Sequence, residues 1–266
     1  MAQSVFLTGA SGGLGAALAA RYAARGASLG LLARRAEPLR ALQARLPGTH
    51  RIYPADVGDA DAVAAAAADF IAHAGLPAIV IANAGISAGT LTEEAGDAAV
   101  FERLLRTNVL GVVHTFQPFV RPMREAGRGT LAGIASVAGI RGLPGAGAYC
   151  ASKSALITCL ESLRVELRRS GVRVVTLCPG YIATAMTAVN PYPMPFLLPA
   201  DAAARRILRL IDQGRSYAVA PWQMAVAAKL MRALPNFLFD RLFERAGRKP
   251  RGLPLPGDGG RRTEDR

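Results

Sequence analysis

The chain has 266 residues, 51% of them hydrophobic, and a formal net charge of +13. That composition supplies one large α/β domain with a sizeable core and excludes wholesale disorder, while three cysteines, Cys150, Cys159 and Cys178, exclude a disulfide framework and fit a reducing compartment. The basic surplus admits nucleic acid, an anionic membrane, an anionic cofactor or simply a solvated surface; no zinc-finger, RNA-platform or helix-turn-helix signature accompanies it, so no nucleic acid is expected.

In chain order, an apolar strand over residues 5–8 begins almost at once. It leaves no room for a charged leader and a long apolar stretch, so a cytoplasmic location is expected. It runs into Thr8-Gly9-Ala10-Ser11-Gly12-Gly13-Leu14-Gly15, and a helix is predicted over 13–25. Glycines after a strand let backbone approach a pyrophosphate, and the helix N-terminus then holds the negative charge. The second strand, 28–33, ends at Ala33-Arg34-Arg35. An acid there would accept hydrogen bonds from an adenosine ribose; two arginines instead suit a 2′-phosphate. NADP(H) is therefore favoured, and NAD(H) stays open.

Further strands are predicted at 51–54, 79–82, 129–135, 172–177 and 217–220. Helices are predicted at 37–46, 59–74, 97–126, 150–170 and 200–213. Several strands are apolar on both faces, as in a parallel sheet covered on each side. The alternation predicts a doubly wound parallel α/β sheet, Rossmann-like, in a single domain over 1–220. A helical extension over 221–246 and a disordered basic tail over 247–266 follow.

The candidate reaction centre is Tyr149-Cys150-Ala151-Ser152-Lys153, with Ser136 at the end of a strand and Asn108 upstream. Tyr149 and Lys153 are four apart and share a helix face. A phenol with an ordinary pKa of about 10 is a poor base, and a neighbouring ammonium favours its phenolate. A tyrosine so tuned exchanges a proton with an alkoxide or alcohol, and Ser136 can hold the carbonyl oxygen. His50, His73 and His114 lack metal-ligand spacing.

The conjunction of TGxxxGxG, Asn83-Ala84-Gly85, Thr107-Asn108, Ser136, Tyr149/Lys153 and Pro179-Gly180, in one order, resembles the short form of the short-chain dehydrogenase/reductase family over residues 3 to 220. The resemblance implies hydride transfer between a nicotinamide and a small-molecule alcohol or carbonyl. It implies Tyr149 as acid/base, Lys153 on that tyrosine and the nicotinamide ribose, and Ser136 on substrate. Asn108 would help hold a water in a proton relay, and Asp56-Val57 would contact adenine. Pro179, Gly180, Ile182 and Thr184 match P-G-x-I-x-T, whose threonine contacts the carboxamide. Gly9, Ser11, Gly13, Leu14, Gly15, Asn83, Ala84 and Gly85 complete the implied cofactor site. Two departures stand out: Ala82 replaces an asparagine, and Gly12 stands where many NADP-dependent relatives carry a basic residue. A cofactor-binding regulatory protein without catalysis is the alternative reading, and a basic nucleic-acid binder a further one.

The family's mobile substrate flap falls on 185–199, where Met186, Tyr192, Met194, Phe196 and Leu197 suggest a hydrophobic substrate. The resemblance also implies a homodimer or homotetramer paired through 97–126 and 150–170. Residues 222–251 interleave Trp222, Leu230, Phe237 and Leu242 with Lys229, Arg241, Arg245 and other cations. They are expected to form two short helices split by Pro235, packed on the pocket or a partner, or lying in a membrane interface.

Overall fold

A computed structural model describes residues 3–252, and the remainder of the expected tail, 253–266, lies outside the described residues. The elements alternate as β1 (Ser4–Thr8), α1 (Gly13–Ala23), β2 (Ser28–Ala33), α2 (Ala36–Gln43), β3 (His50–Pro54), α3 (Ala60–Ala74), β4 (Ile79–Ala82) and α4 (Asp97–Leu105). They continue as α5 (Gly111–Glu125), β5 (Gly129–Ile134), α6 (Gly147–Glu166) and β6 (Val172–Pro179). The last part holds β7 (Ile182–Ala183), α7 (Ala185–Ala188), β8 (Leu198–Pro199), α8 (Ala200–Asp212), β9 (Tyr217–Ala220), α9 (Trp222–Ala233) and α10 (Asn236–Phe243).

Seven strands form one parallel sheet in the order β3-β2-β1-β4-β5-β6-β9. Successive side chains of a strand point to opposite faces, so each strand feeds two cores. Val5 and Leu7 of β1 pack with Leu18 and Tyr22 of α1 and Ile207 of α8. Phe6, between them, turns to the other face and packs with Phe70 of α3 and Phe119 of α5, at ring separations of 5.6 and 5.1 Å. All four residues of β4 are buried, which a strand covered on both sides demands. The alanine-rich α3 is started by Asp59, whose carboxylate accepts from the Ala62 N–H at 3.0 Å.

β1 pairs with β2 on one side and β4 on the other. Chain order reverses there, so the loops leaving β1 and β4 diverge and open a crevice at the carboxyl edge. Two departures from the sequence reading concern this edge. The helix expected over 97–126 is interrupted by a π turn at Arg106–Leu110, which contains Asn108. The segment 247–252, expected within a disordered tail, folds back over the loops after β4 and β6. Its backbone is close-packed there: Gly89 donates to the Pro250 carbonyl at 3.1 Å, and Arg251 pairs with Asp97 at 2.7 Å and Glu94 at 2.9 Å.

Candidate active site

The crevice is a cleft of about 550 Å³ running from Arg34 and Arg35 to Ser136, Tyr149 and Lys153. Gly9 is held at φ +68°, a left-handed conformation that favours glycine, and a Cβ on it would lie 2.7 Å from the Ala84 Cα. A side chain at Gly15 would run into the Gly9 carbonyl oxygen, so α1 can begin this close to β1 only with glycine there. The N-cap of α1 is Gly12, which offers no side-chain cap, and the first turn holds no acid. Its N-terminal N–H groups and dipole are thereby left for an anion. With an elongated cleft leading away from it, this donor set fits a dinucleotide.

Asn83 reaches across the crevice. Its amide donates to the Thr8 and Gly9 carbonyls at 3.1 and 3.2 Å, and the Thr8 hydroxyl accepts from the Asn83 and Ala84 N–H groups at 3.2 and 3.3 Å. Asn83 thus fixes the glycine loop in shape. Ser11, Gly13, Leu14, Ala84, Gly85, Pro179, Gly180, Ile182 and Thr184 line the same cleft. Thr184 also caps α7 reciprocally with Thr187.

At the other rim Ala33 closes β2 with no carboxylate, and Arg34 follows, 3.7 Å from Asp56. Asp56 in turn accepts from the Gly58 N–H at 2.8 Å, and Val57 beside it is buried. Arg35 is exposed at the start of α2. Gly12 brings no side chain to the loop, so the positive charge at this rim comes from Arg34 and Arg35.

Ser136 follows β5 and starts a short 3-10 turn, its hydroxyl accepting from the Ala138 N–H at 3.1 Å. Tyr149 lies one turn into α6. Burial pushes its phenol above the ordinary value, and a hydrogen bond with Ser136 pulls the other way. The Lys153 ammonium is nearly buried, donates to the Ile134 carbonyl at 2.9 Å and sits 5.9 Å from the Tyr149 ring centre. Burial draws Lys153 down to about 8, so it remains mostly charged at neutral pH. The expected lowering of the Tyr149 phenol by Lys153 is not seen in the protein alone: burial raises the phenol, and the group that pulls the other way is Ser136.

Asn108 is fully buried, and both ends of its amide are used by protein. Its oxygen accepts from the Ile86 N–H at 2.8 Å, and its nitrogen donates to the Ile86 carbonyl at 2.9 Å and to the Ser152 hydroxyl at 3.0 Å. Asn108 ties the turn after β4 to α6, the helix carrying Tyr149 and Lys153. Asn108 itself is absent from the lining of the cleft, which includes its neighbour Thr107. Residues not singled out by sequence also line the cleft, among them Ile86 and Ala55. Ile86 could have been found as the apolar residue that directly follows Asn83-Ala84-Gly85; Met186, expected on the substrate flap, lines the cleft as well.

A glycine-looped anion site, a sheet switch point and a serine-tyrosine-lysine group on one cleft define a nicotinamide-dependent oxidoreductase. Residues 3–192 match the family model described as short chain dehydrogenase, and the chain belongs to that family. It is 39% identical over 241 residues to a protein of Myxococcus xanthus named only as an uncharacterized oxidoreductase, covering 90% of this chain and 95% of that one. A solved short chain dehydrogenase from Burkholderia cenocepacia, in complex with NADP, superposes with a TM-score of 0.79 at 26% identity, covering 91% of this chain and 97% of the other. Levodione reductase gives a TM-score of 0.74 at 28% identity, covering 84% and 98%.

The folded-state pKa of Lys153 lies below the ordinary 10.5, so its ammonium opposes folding at neutral pH, and the opposition fades as pH rises from about 8 toward 10.5. Lys153→Met should therefore raise the stability of the cofactor-free protein at neutral pH by about 1–3 kcal/mol, read as a higher urea midpoint. The gain should shrink by about pH 10. An equal fall in midpoint at both pH values would show that the ammonium stabilises the fold.

Proposed function

We propose that this oxidoreductase uses NADP(H) and acts on a hydrophobic carbonyl or alcohol. The observation that supports the cofactor choice is the rim after β2, where Ala33 leaves no acid and Arg34 and Arg35 supply positive charge. The NADP held by the Burkholderia cenocepacia relative agrees with it. The nicotinamide supplies or accepts the hydride when bound. Tyr149 exchanges the proton with the substrate oxygen, and Ser136 orients that oxygen. The charged Lys153 holds the nicotinamide ribose and stabilises the phenolate as the proton leaves. Asn108 keeps α6 in register with the loop after β4. The flap between β7 and α8, with Met186 and Tyr192 beside Tyr181, gives the apolar wall for substrate.

The enzyme is proposed to assemble as a dimer or tetramer and to act in the cytoplasm, in line with its unpaired cysteines. Phe101 of α4, Val113 of α5 and Val165 of α6 are exposed apolar residues on the helices the resemblance implies for pairing. No helix among the described residues is long and apolar enough to cross a membrane. Yet Trp222, Val226 and Leu230 of α9 share one exposed face, and Phe237 and Leu242 of α10 add to the apolar surface. We assign this face to a peripheral contact with anionic lipid, because exposed Lys229 and Arg241 flank it. Of the cations in 222–251, Lys249 is buried and Arg251 is engaged by Asp97 and Glu94.

NADPH oxidation with apolar ketones should be at least about tenfold more efficient than NADH oxidation. Arg34→Ala with Arg35→Ala should erase the difference by weakening NADPH alone; an unmodified protein that binds both equally overturns the cofactor reading. Tyr149→Phe should bind NADPH normally and lose turnover by about 10²–10⁴-fold. Undiminished turnover would remove Tyr149 from the reaction. Light scattering should give a mass above one chain, and co-sedimentation with phosphatidylserine vesicles should weaken with salt and fail when Trp222, Leu230 and Phe237 are replaced by Ser. A single-chain mass defeats the assembly reading, and no binding at low salt defeats the membrane reading.

A further inference from the structure

The C-terminal strap buries a cation against Met186, a residue that lines the cleft. Lys249 is 9% exposed, and the hydrogen-bond partner of its ammonium among the described residues is the Met186 carbonyl, at 3.3 Å. An ammonium carries three donors, and among the described residues one of them is used. The acids that the strap meets, Glu94 and Asp97, pair with Arg251, two residues on. A buried ammonium without a carboxylate is costly unless an anion completes it.

Its surroundings are those of the reaction centre. Met186, whose carbonyl it holds, lines the cleft with Ser136 and Tyr149. Gly247, two residues before it, lies against the Tyr192 ring, where a side chain would come 2.6 Å from the Tyr192 Cβ. The Tyr192 phenol is raised to about 12, chiefly by burial and also by the nearby Tyr181 and Tyr149. On its other side the strap touches Gly89, and the next residue, Thr90, accepts at its hydroxyl from the Ala148 N–H at 3.2 Å, beside Tyr149. The strap therefore bridges the flap and the base of α6.

We propose that Lys249 is a specificity-determining residue that binds an acidic group of the substrate, so that the substrate is an amphipathic keto or hydroxy acid. Its carbonyl or alcohol carbon would lie at Tyr149 and its apolar body along Tyr181, Tyr192 and Met186. This rests on the oxidoreductase reading, and it narrows the apolar substrate class to one carrying a carboxylate or a comparable anion. A second anion could claim the same ammonium: the diphosphate of the cofactor, since Met186 lies two residues after Thr184. The test separates the two sources.

Octanoate and methyl octanoate are titrated into the NADP-loaded protein and followed by calorimetry, a measurement independent of turnover. The parent should bind the acid at least about tenfold more tightly than the ester. Lys249→Met should remove that discrimination while its NADP affinity stays within about twofold of the parent, and Lys249→Arg should keep much of the discrimination. Equal binding of acid and ester by the parent overturns the proposal even if the variant fails to fold. So does discrimination that survives in Lys249→Met. A fall in NADP affinity matching the loss of octanoate binding also overturns it and gives the ammonium to the cofactor. NADP binding by the parent, measured first, tests the underlying oxidoreductase reading separately.

Discussion

The site depends on the divergence of chain direction between β1 and β4. A parallel sheet whose connections leave one edge toward opposite faces must part there, and the parting is the only place where a long polar ligand can reach the ends of buried strands. Such a gap would leave backbone groups of both loops without partners. Thr8 and Asn83 supply those partners from the two sides, joining the first residues after each strand. The glycine loop is consequently tied to the loop after β4, and α1 starts from a loop held by the same bonds.

The second constraint is electrostatic. Tyr149 and Lys153 are buried together, and burial acts on them in opposite directions, lifting the phenol and lowering the ammonium. Desolvation thus disfavours the charged form of each group. The Ile134 carbonyl and the Ser136 hydroxyl are the protein's counterweights, one on each group. Both come from the carboxyl end of β5 or two residues beyond it, so strand register sets where the two groups are held. Asn108 adds a mechanical tie from the π turn, and a π turn shifts the helix by a fraction of a turn so that one side chain can face inward.

Sequence exposed most of this because its signals are local. Strands such as Ile79–Ala82 are buried on both faces and so are continuous apolar runs, and the glycine loop and Tyr149/Lys153 are short spacings. The residues expected at the cofactor all fall on one cleft because most sit just after a strand end, which the alternation already locates, and Tyr149 and Lys153 share one face of α6. The π turn was hidden because an inserted residue barely disturbs helical periodicity. Asn83 and Asn108 were placed near the site, but their bonds to Thr8, Gly9 and Ile86 arise from loops that meet only in the folded chain. The burial of Lys249 was hidden for a different reason: a Gly-, Pro- and Arg-rich stretch has the composition of a solvated tail, and composition carries no information about which distant loop will cover it.

Arg141 lies on the loop that follows Ser136, and its guanidinium caps the C-terminal end of α9 through the Met231 and Leu234 carbonyls while stacking on Phe239 of α10, 3.9 Å from the ring centre. Arg232 of α9 returns the contact to the Ile140 carbonyl. Two stretches about ninety residues apart in sequence are therefore bound by a shared hydrogen-bond set. In evolutionary terms they are free to diverge only as a pair. A relative that exchanges its C-terminal helices for another substrate must also rewrite the loop after its serine, or leave the end of a helix uncapped against the reaction centre.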